Sequence, residues 1–211
     1  MTGRYSYHLV ALQEVKSVEV IEKLIADPSN ELQGWQYVIS EAPVGVGTHL
    51  VHDRCRSSFP RVRGSSCWFI HLLLQEYYAF LWRGDIGCEL IASGLFADPH
   101  QLFARRPFVA TFKVGKFDFT LITVHVIYGA DAKPRVKEVK LLAQVVKTTL
   151  ENNGGERDVM LLGDFNTPPN SDAWKDLQLL NYTVCTTSTS TRSRCHWDEL
   201  FTSAREALYR T

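Results

Sequence analysis

The run FDFTLITVHV at residues 117–126 decides the fold class. It alternates at first and then becomes continuously apolar and β-branched, the pattern of a strand from Asp118 to Val126 that enters a covered sheet. After the turn GADAKP, the segment Arg135–Leu150 places Val136, Val139, Leu142, Val146 and Leu150 on one face and stops at NNGG, which predicts a helix with a glycine stop. Asp158–Leu162 then reads as a short buried strand. Beyond it, Ser171 is placed to cap a helix carrying Trp174, Leu177 and Leu180. Upstream, His8–Gln13 predicts a short strand. It is followed by a helix over Val15–Ala26, with Val18, Ile21, Leu24 and Ile25 at helical spacing and an end before Pro28. Gln36–Ile39, Ala79–Trp82 and Phe108–Lys113 are brief strands bounded by Gly, Pro or charge. Strand-like and helix-like segments alternate without an internal repeat, the mark of a layered α/β protein.

Composition narrows the classes further. The chain has 211 residues, of which 45% are hydrophobic, enough for a sizeable core and too apolar for disorder over most of its length. Lys plus Arg is 23 and Asp plus Glu is 23, so no global field draws the protein to nucleic acid or anionic membrane, and a polyanion must be met by a local patch. The longest apolar run, Cys67–Leu74, is interrupted by His71 and falls far short of the roughly 20 residues of a bilayer span, so a soluble chain with no membrane span is expected. MTGRYSYHLV is too polar for a secretory signal, and any such signal is expected upstream of Met1. Neither compartment nor oligomeric state is written in the sequence. Five cysteines, an odd number without a CxxC pair, indicate neither a zinc site nor a full disulfide framework; one pair, Cys185 with Cys195, stays open.

Residues 51–75 break the pattern. HDRCRSSFPRVRGSSCWFIHLLLQ carries two of the five cysteines and four arginines against one acid, with neither alternation nor helical period. It reads as an insertion. A long basic surface loop is one origin, and loops of that length do occur near active sites. Translated intron sequence is the other, since a pyrimidine-rich tract read in frame encodes runs like Phe-Ile-His-Leu-Leu-Leu.

Three segments place chemistry at strand ends, where loops leaving a sheet gather sites. Gly163-Asp164-Phe165-Asn166-Thr167-Pro168-Pro169 follows a buried strand. Asp164 and Asn166 lie on one side while Phe165 points away, so a carboxylate can hold or deprotonate water and an amide can donate to a phosphoryl oxygen. The bland reading is a tight turn, in which Asp and Asn serve locally. His125 lies inside an apolar strand, where a lone histidine is more often a satisfied core residue than a catalyst. Glu14 stands where a strand meets a helix start. The helix dipole favours it there, and an oxygen-only site for a divalent cation is the functional alternative.

Taken in order, QEV, EYYAFLWR, RRPFVATF, FTLITVHVIYG and LLGDFNTPP resemble the endonuclease/exonuclease/phosphatase superfamily, and within it the deoxyribonuclease I-like nucleases. TTSTSTRSRCHWDELF is similar to the threonine-rich stretch and Cys-x-aromatic-Asp that precede a late strand in that family. The resemblance implies a single domain over residues 1–211, interrupted at 51–75. Its implied fold is a four-layered α/β sandwich of two mixed sheets flanked by helices. It makes Glu14 the magnesium-binding glutamate, with calcium or manganese as the other candidate ions. Glu76 becomes the partner of the first catalytic histidine, His125. Asp164 and Asn166 position or activate water and bind the scissile phosphate, and Asp198 orients a second histidine. Lys16 and Arg105 fall at phosphate-contacting positions, with Arg106 adding positive charge where the family is usually acidic.

The departures from the family are as specific. Its members begin with another strand bearing an asparagine and end with one bearing an Asp-His pair; this chain runs from Met1 to Thr211 without either. Weak or absent turnover is therefore expected of the chain as written, with exposed sheet edges. The insertion, ending directly before Glu76, is placed to displace that residue or cover the cleft. The leading function is metal-dependent hydrolysis of DNA or a related nucleic acid. Two alternatives are hydrolysis of small phosphoesters or phospholipid headgroups, and a truncated, non-catalytic product.

Overall fold

The computed structural model describes residues 7–44, 76–154, 157–186 and 198–203, with residues 183–186 and 198–203 described by their backbone. Strands β1 (Leu9–Val15), β2 (Trp35–Ile39) and β3 (Tyr77–Arg83) form an antiparallel sheet in the order β1-β3-β2. A second, six-stranded sheet contains β4 (Cys88–Leu95), β5 (Phe108–Val114), β6 (Phe117–His125), β7 (Val159–Asp164), β8 (Tyr182–Thr186) and β9 (Asp198–Ser203), in the order β4-β5-β6-β7-β9-β8. Among the described strands only β6 and β7 run parallel, joined by helix α2 (Ala132–Asn152). Among the described residues, the other α-helices are α1 (Val18–Ala26) and the short α3 (Lys175–Gln178).

Alternation on β6 builds two of the three apolar layers. Leu121 faces the three-stranded sheet and packs with Tyr78, Phe80 and Trp82 of β3 and Phe108, Ala110 and Phe112 of β5. Rings interlock there, with Phe80 and Phe108 stacked at 5.5 Å and Trp82 edge-on to Phe112 at 5.2 Å. Ile122 and Val124 face the other way, against Val139, Leu142 and Val146 of α2 and Trp174. On the far side of the small sheet, Ile21 of α1 packs on Val15, Ala79 and Leu81. The layers thus run helix, sheet, sheet, helix, as the resemblance implies.

Local chemistry sets the boundaries. Asp131 caps α2 by accepting the Lys133 N–H at 2.9 Å, and just past the helix Gly154 takes the left-handed φ of 61° that a side chain resists. The helix expected from Val15 begins at Val18, because β1 continues through Val15. The helix expected after Ser171 is a 3-10 turn, Asp172–Trp174, running into α3, with the Ser171 hydroxyl accepting the Ala173 N–H. Strand β4 escaped the sequence reading: its register shifts between Leu90 and Ala92, leaving Ile91 exposed and breaking the alternation.

The Val44 N–H donates to the Glu76 carbonyl at 2.8 Å, extending the β2–β3 pairing. The insertion expected at 51–75, with Cys55 and Cys67, lies outside the described residues, as does the Cys185–Cys195 pairing left open above. Among the described residues, no helix is long and apolar enough to cross a membrane.

Candidate active site

The face of β6 that looks into the inter-sheet layer changes character along its length. Phe119 and Leu121 are apolar; Thr123 and His125, at the end, are polar and buried. Each polar group is met from the opposite sheet. Thr123 Oγ1 accepts from Gln13 Nε2 at 2.8 Å, and the Tyr78 hydroxyl accepts the His125 N–H at 2.7 Å. Burial pushes the Tyr78 phenol far above its ordinary range, so it stays a neutral hydroxyl.

Two carboxylates flank the His125 ring. Its Nδ1 is 3.6 Å from Glu76 Oε2 and its Nε2 is 3.7 Å from Glu14 Oε1. Both separations exceed an N–H···O hydrogen bond, so the carboxylates lie against the ring without bonding to it. Glu76 and His125 are buried, while the Glu14 side chain is 62% exposed and forms the open side of the group.

Glu14 reaches His125 only because the strand is irregular. Leu9, Ala11 and Gln13 face the inter-sheet layer, so strict alternation would send Glu14 toward α1. Instead, the β1–β3 register shifts between Leu12 and Val15, and Glu14 takes a φ of 56°. The extra residue of this bulge turns Glu14 to His125 and returns Val15 to the α1 face.

Arg105 pairs through Nε with Glu76 Oε1. Burial pushes the Glu76 carboxyl up, but His125 and the Arg105 guanidinium outweigh it and hold the group below its ordinary 4.5. The folded state therefore binds this proton less tightly than the unfolded chain. The stabilisation from Glu76 is complete above about pH 4.5 and is lost as pH falls through the depressed folded value. Acid titration followed by circular dichroism should show wild type losing stability below pH 4.5 more steeply than Glu76→Gln; parallel curves would count against the pairing.

Beside His125, on the parallel neighbour, stands Asp164. Asp164 lies on the same sheet face as Leu162, which packs in the inter-sheet layer, while Phe165 is buried against the helices. Its Oδ1 accepts the Asn166 N–H at 2.9 Å, so the turn chemistry is present. Asn166, at φ 48°, donates one amide hydrogen to the Val126 carbonyl at 2.8 Å; the other remains for a further acceptor. Backbone register continues the row: Asp164 pairs with Asp198 of β9, so His125, Asp164 and Asp198 lie side by side on three adjacent strands. The Asp198 side chain lies outside the described residues. Lys16 is exposed two residues beyond Glu14, and Arg105 is mostly covered, with 19% of its side chain exposed. Glu76, expected to be at risk from the insertion, is in place against His125.

Two contributors were not read from sequence. Tyr78 and Glu138 resemble core filler and a solvent-facing helix charge, respectively, yet Glu138 is 4% exposed. Its Oε1 accepts the Ala104 N–H and its Oε2 the Ile127 N–H, both at 2.7 Å. Burial pushes its carboxyl up, although these N–H groups pull the other way. A glutamate amid Val136, Val139 and Leu142 was the available signal.

Comparisons with known proteins bear on the fold. No family model matches the chain. A protein named deoxyribonuclease from Thioalkalivibrio is 34% identical over 125 residues, covering 56% of this chain and 34% of that protein. Human endonuclease/exonuclease/phosphatase family domain-containing protein 1 is 26% identical over 187 residues, covering 82% of this chain and 30% of its own length. Among solved structures, an endonuclease/exonuclease/phosphatase from Bacteroides vulgatus superposes with a TM-score of 0.56 at 16% identity, covering 93% of this chain and 73% of that one. This chain has the endonuclease/exonuclease/phosphatase fold. A mannosyl-6-phosphatase from Bacteroides thetaiotaomicron shares it, with a TM-score of 0.59 at 16% identity and coverage of 94% and 72%. The chain spans about a third of the length of these two curated relatives.

Proposed function

We propose that this chain is a single endonuclease/exonuclease/phosphatase domain, interrupted at 51–75, that hydrolyses phosphodiesters of DNA or a related nucleic acid with a divalent cation. The observation that carries this reading is His125 held between Glu14 and Glu76, one strand from Asp164. The similarity to a protein named deoxyribonuclease supports the substrate class.

The residues fit a metal. One donor atom from each of Glu14, Glu76 and His125 lies within 4.8 Å of the other two. With Glu76 Oε1 committed to Arg105, Glu14 is the exposed carboxylate. Glu14 would hold the ion while His125 keeps its nitrogen for proton transfer; one protein carboxylate, completed by water and phosphate oxygen, suits magnesium, and calcium or manganese share its preference for oxygen. When bound, the ion supplies charge compensation at a phosphoryl oxygen.

The chain's own residues do the rest. Glu76 orients the His125 ring from the Nδ1 side, leaving Nε2 toward the open face to give a proton to the leaving oxygen as its P–O bond breaks. Asp164 holds water for in-line attack and takes its proton as the new P–O bond forms, and the free amide hydrogen of Asn166 donates to a phosphoryl oxygen. Backbone register sets Asp198 next to Asp164 at the end of this row. Lys16 and the outer nitrogens of Arg105 contact the flanking backbone phosphates.

Substrate class separates this from the small-ester alternative. Relaxation of supercoiled plasmid and release of phosphate from a sugar phosphate, each assayed with magnesium and with EDTA, should show metal-dependent cleavage of the plasmid that weakens as salt rises. Turnover of the sugar phosphate alone would replace the nuclease reading with a phosphatase one.

A further inference from the structure

We propose that Glu138 is the positioning residue of this site, a buried clamp that fixes the segment carrying Arg105 against the segment leaving His125. Its catalytic meaning rests on the hydrolytic reading above; the clamp itself rests on geometry.

A carboxylate on the buried face of a helix is costly unless its oxygens are engaged. Both are. Oε1 takes the N–H of Ala104, the residue before Arg105, and Oε2 takes the N–H of Ile127, two residues past His125. At 2.7 Å these have the length of charge-assisted hydrogen bonds. Residues 101–107 and 126–131 belong to no helix or strand, so their own backbone does not fix their separation. α2, anchored on the six-stranded sheet through Val139, Leu142 and Val146, supplies the fixed point. Asn166 tightens the second segment by donating to the Val126 carbonyl, and Arg135 by donating to the Gly129 carbonyl at 3.3 Å. A line of side chains then runs outward from the helix: the Glu138 carboxylate, the Arg105 guanidinium, the Glu76 carboxylate and the His125 ring. A shift of Ala104 would carry Arg105 off Glu76 and free the ring that Glu76 orients.

The chemistry demands a carboxylate. Two N–H donors converge on one side chain, and glutamine has a single acceptor oxygen, so in Glu138→Gln one N–H faces another donor. The test is a cycle of Glu138→Gln, Arg105→Ala and the double variant in the full chain. Glu138→Gln should lower kcat by about 10–100-fold with KM little changed. Added to Arg105→Ala it should cost less than about threefold, because the two act through one path. Full activity in Glu138→Gln, or losses that multiply in the double variant, would overturn the proposal.

Amide hydrogen exchange reads the clamp without activity. Ala104 and Ile127 should exchange slowly in wild type, and one of them about tenfold or more faster in Glu138→Gln. Should wild type hydrolyse nothing, the functional reading falls and the clamp is decided by exchange alone. Fast exchange of both amides in wild type removes it, even if the variant fails to fold.

Discussion

Replacing His125 with alanine is expected to lower metal-dependent phosphodiester hydrolysis by about 10²–10⁴-fold, the range for a positioned general acid or base. The fold should survive. His125 is buried, but its N–H to Tyr78 is a backbone contact that alanine keeps. What alanine removes is the imidazole between Glu14 and Glu76, at a cost to stability of about 1–3 kcal/mol as buried polar groups lose a partner. Steady-state kinetics beside thermal melts separate the two effects. An unchanged rate in a folded variant would make His125 a core residue, the reading a lone histidine in an apolar strand invites.

Gly163→Ala is expected to be the most damaging single methyl in the described chain. Gly163 sits in the β6–β7 pairing opposite Val124 with a φ of 133°. A Cβ there would lie 2.0 Å from the Val124 carbonyl oxygen and 2.9 Å from its nitrogen. Both are backbone atoms, so no side chain can swing away. Separating the strands breaks the pairing that sets His125 beside Asp164. The cost should be on the order of 3 kcal/mol or more, combining overpacking with backbone strain. At about 2–4 °C per kcal/mol, Tm should fall by roughly 6–12 °C. Differential scanning fluorimetry and the hydrolysis assay should show both losses together; a Tm within about 1 °C of wild type would contradict the close strand approach.

The fold was legible where one period dominated. β6, α2 and β7 bury strong apolar faces, and their pattern placed a helix between two covered strands. β4 lost its alternation at Ile91, and β1 ran on past Gln13, where a helix was expected to begin soon after. The site was half legible. His125, Asp164 and Asn166 sit at strand ends with chemistry that no core requires. The direction of Glu14 is set by a bulge, which no period-two reading detects. Glu138 was missed because a polar residue on a helix looks solvated, and only tertiary packing reveals two backbone donors converging on it. Arg105 was expected to meet phosphate; the fold also gives it Glu76, a pairing between residues separated by 29 positions.

The most direct test is nicking of supercoiled plasmid by the purified chain, with magnesium, with EDTA, and with Glu14→Gln and His125→Ala in parallel. Slow nicking by wild type that requires the metal and falls about 10²-fold or more in each variant is the predicted result. Nicking that persists in EDTA or in His125→Ala, or none from a cooperatively folded wild-type sample, would show that Glu14, His125 and Glu76 do not cleave DNA.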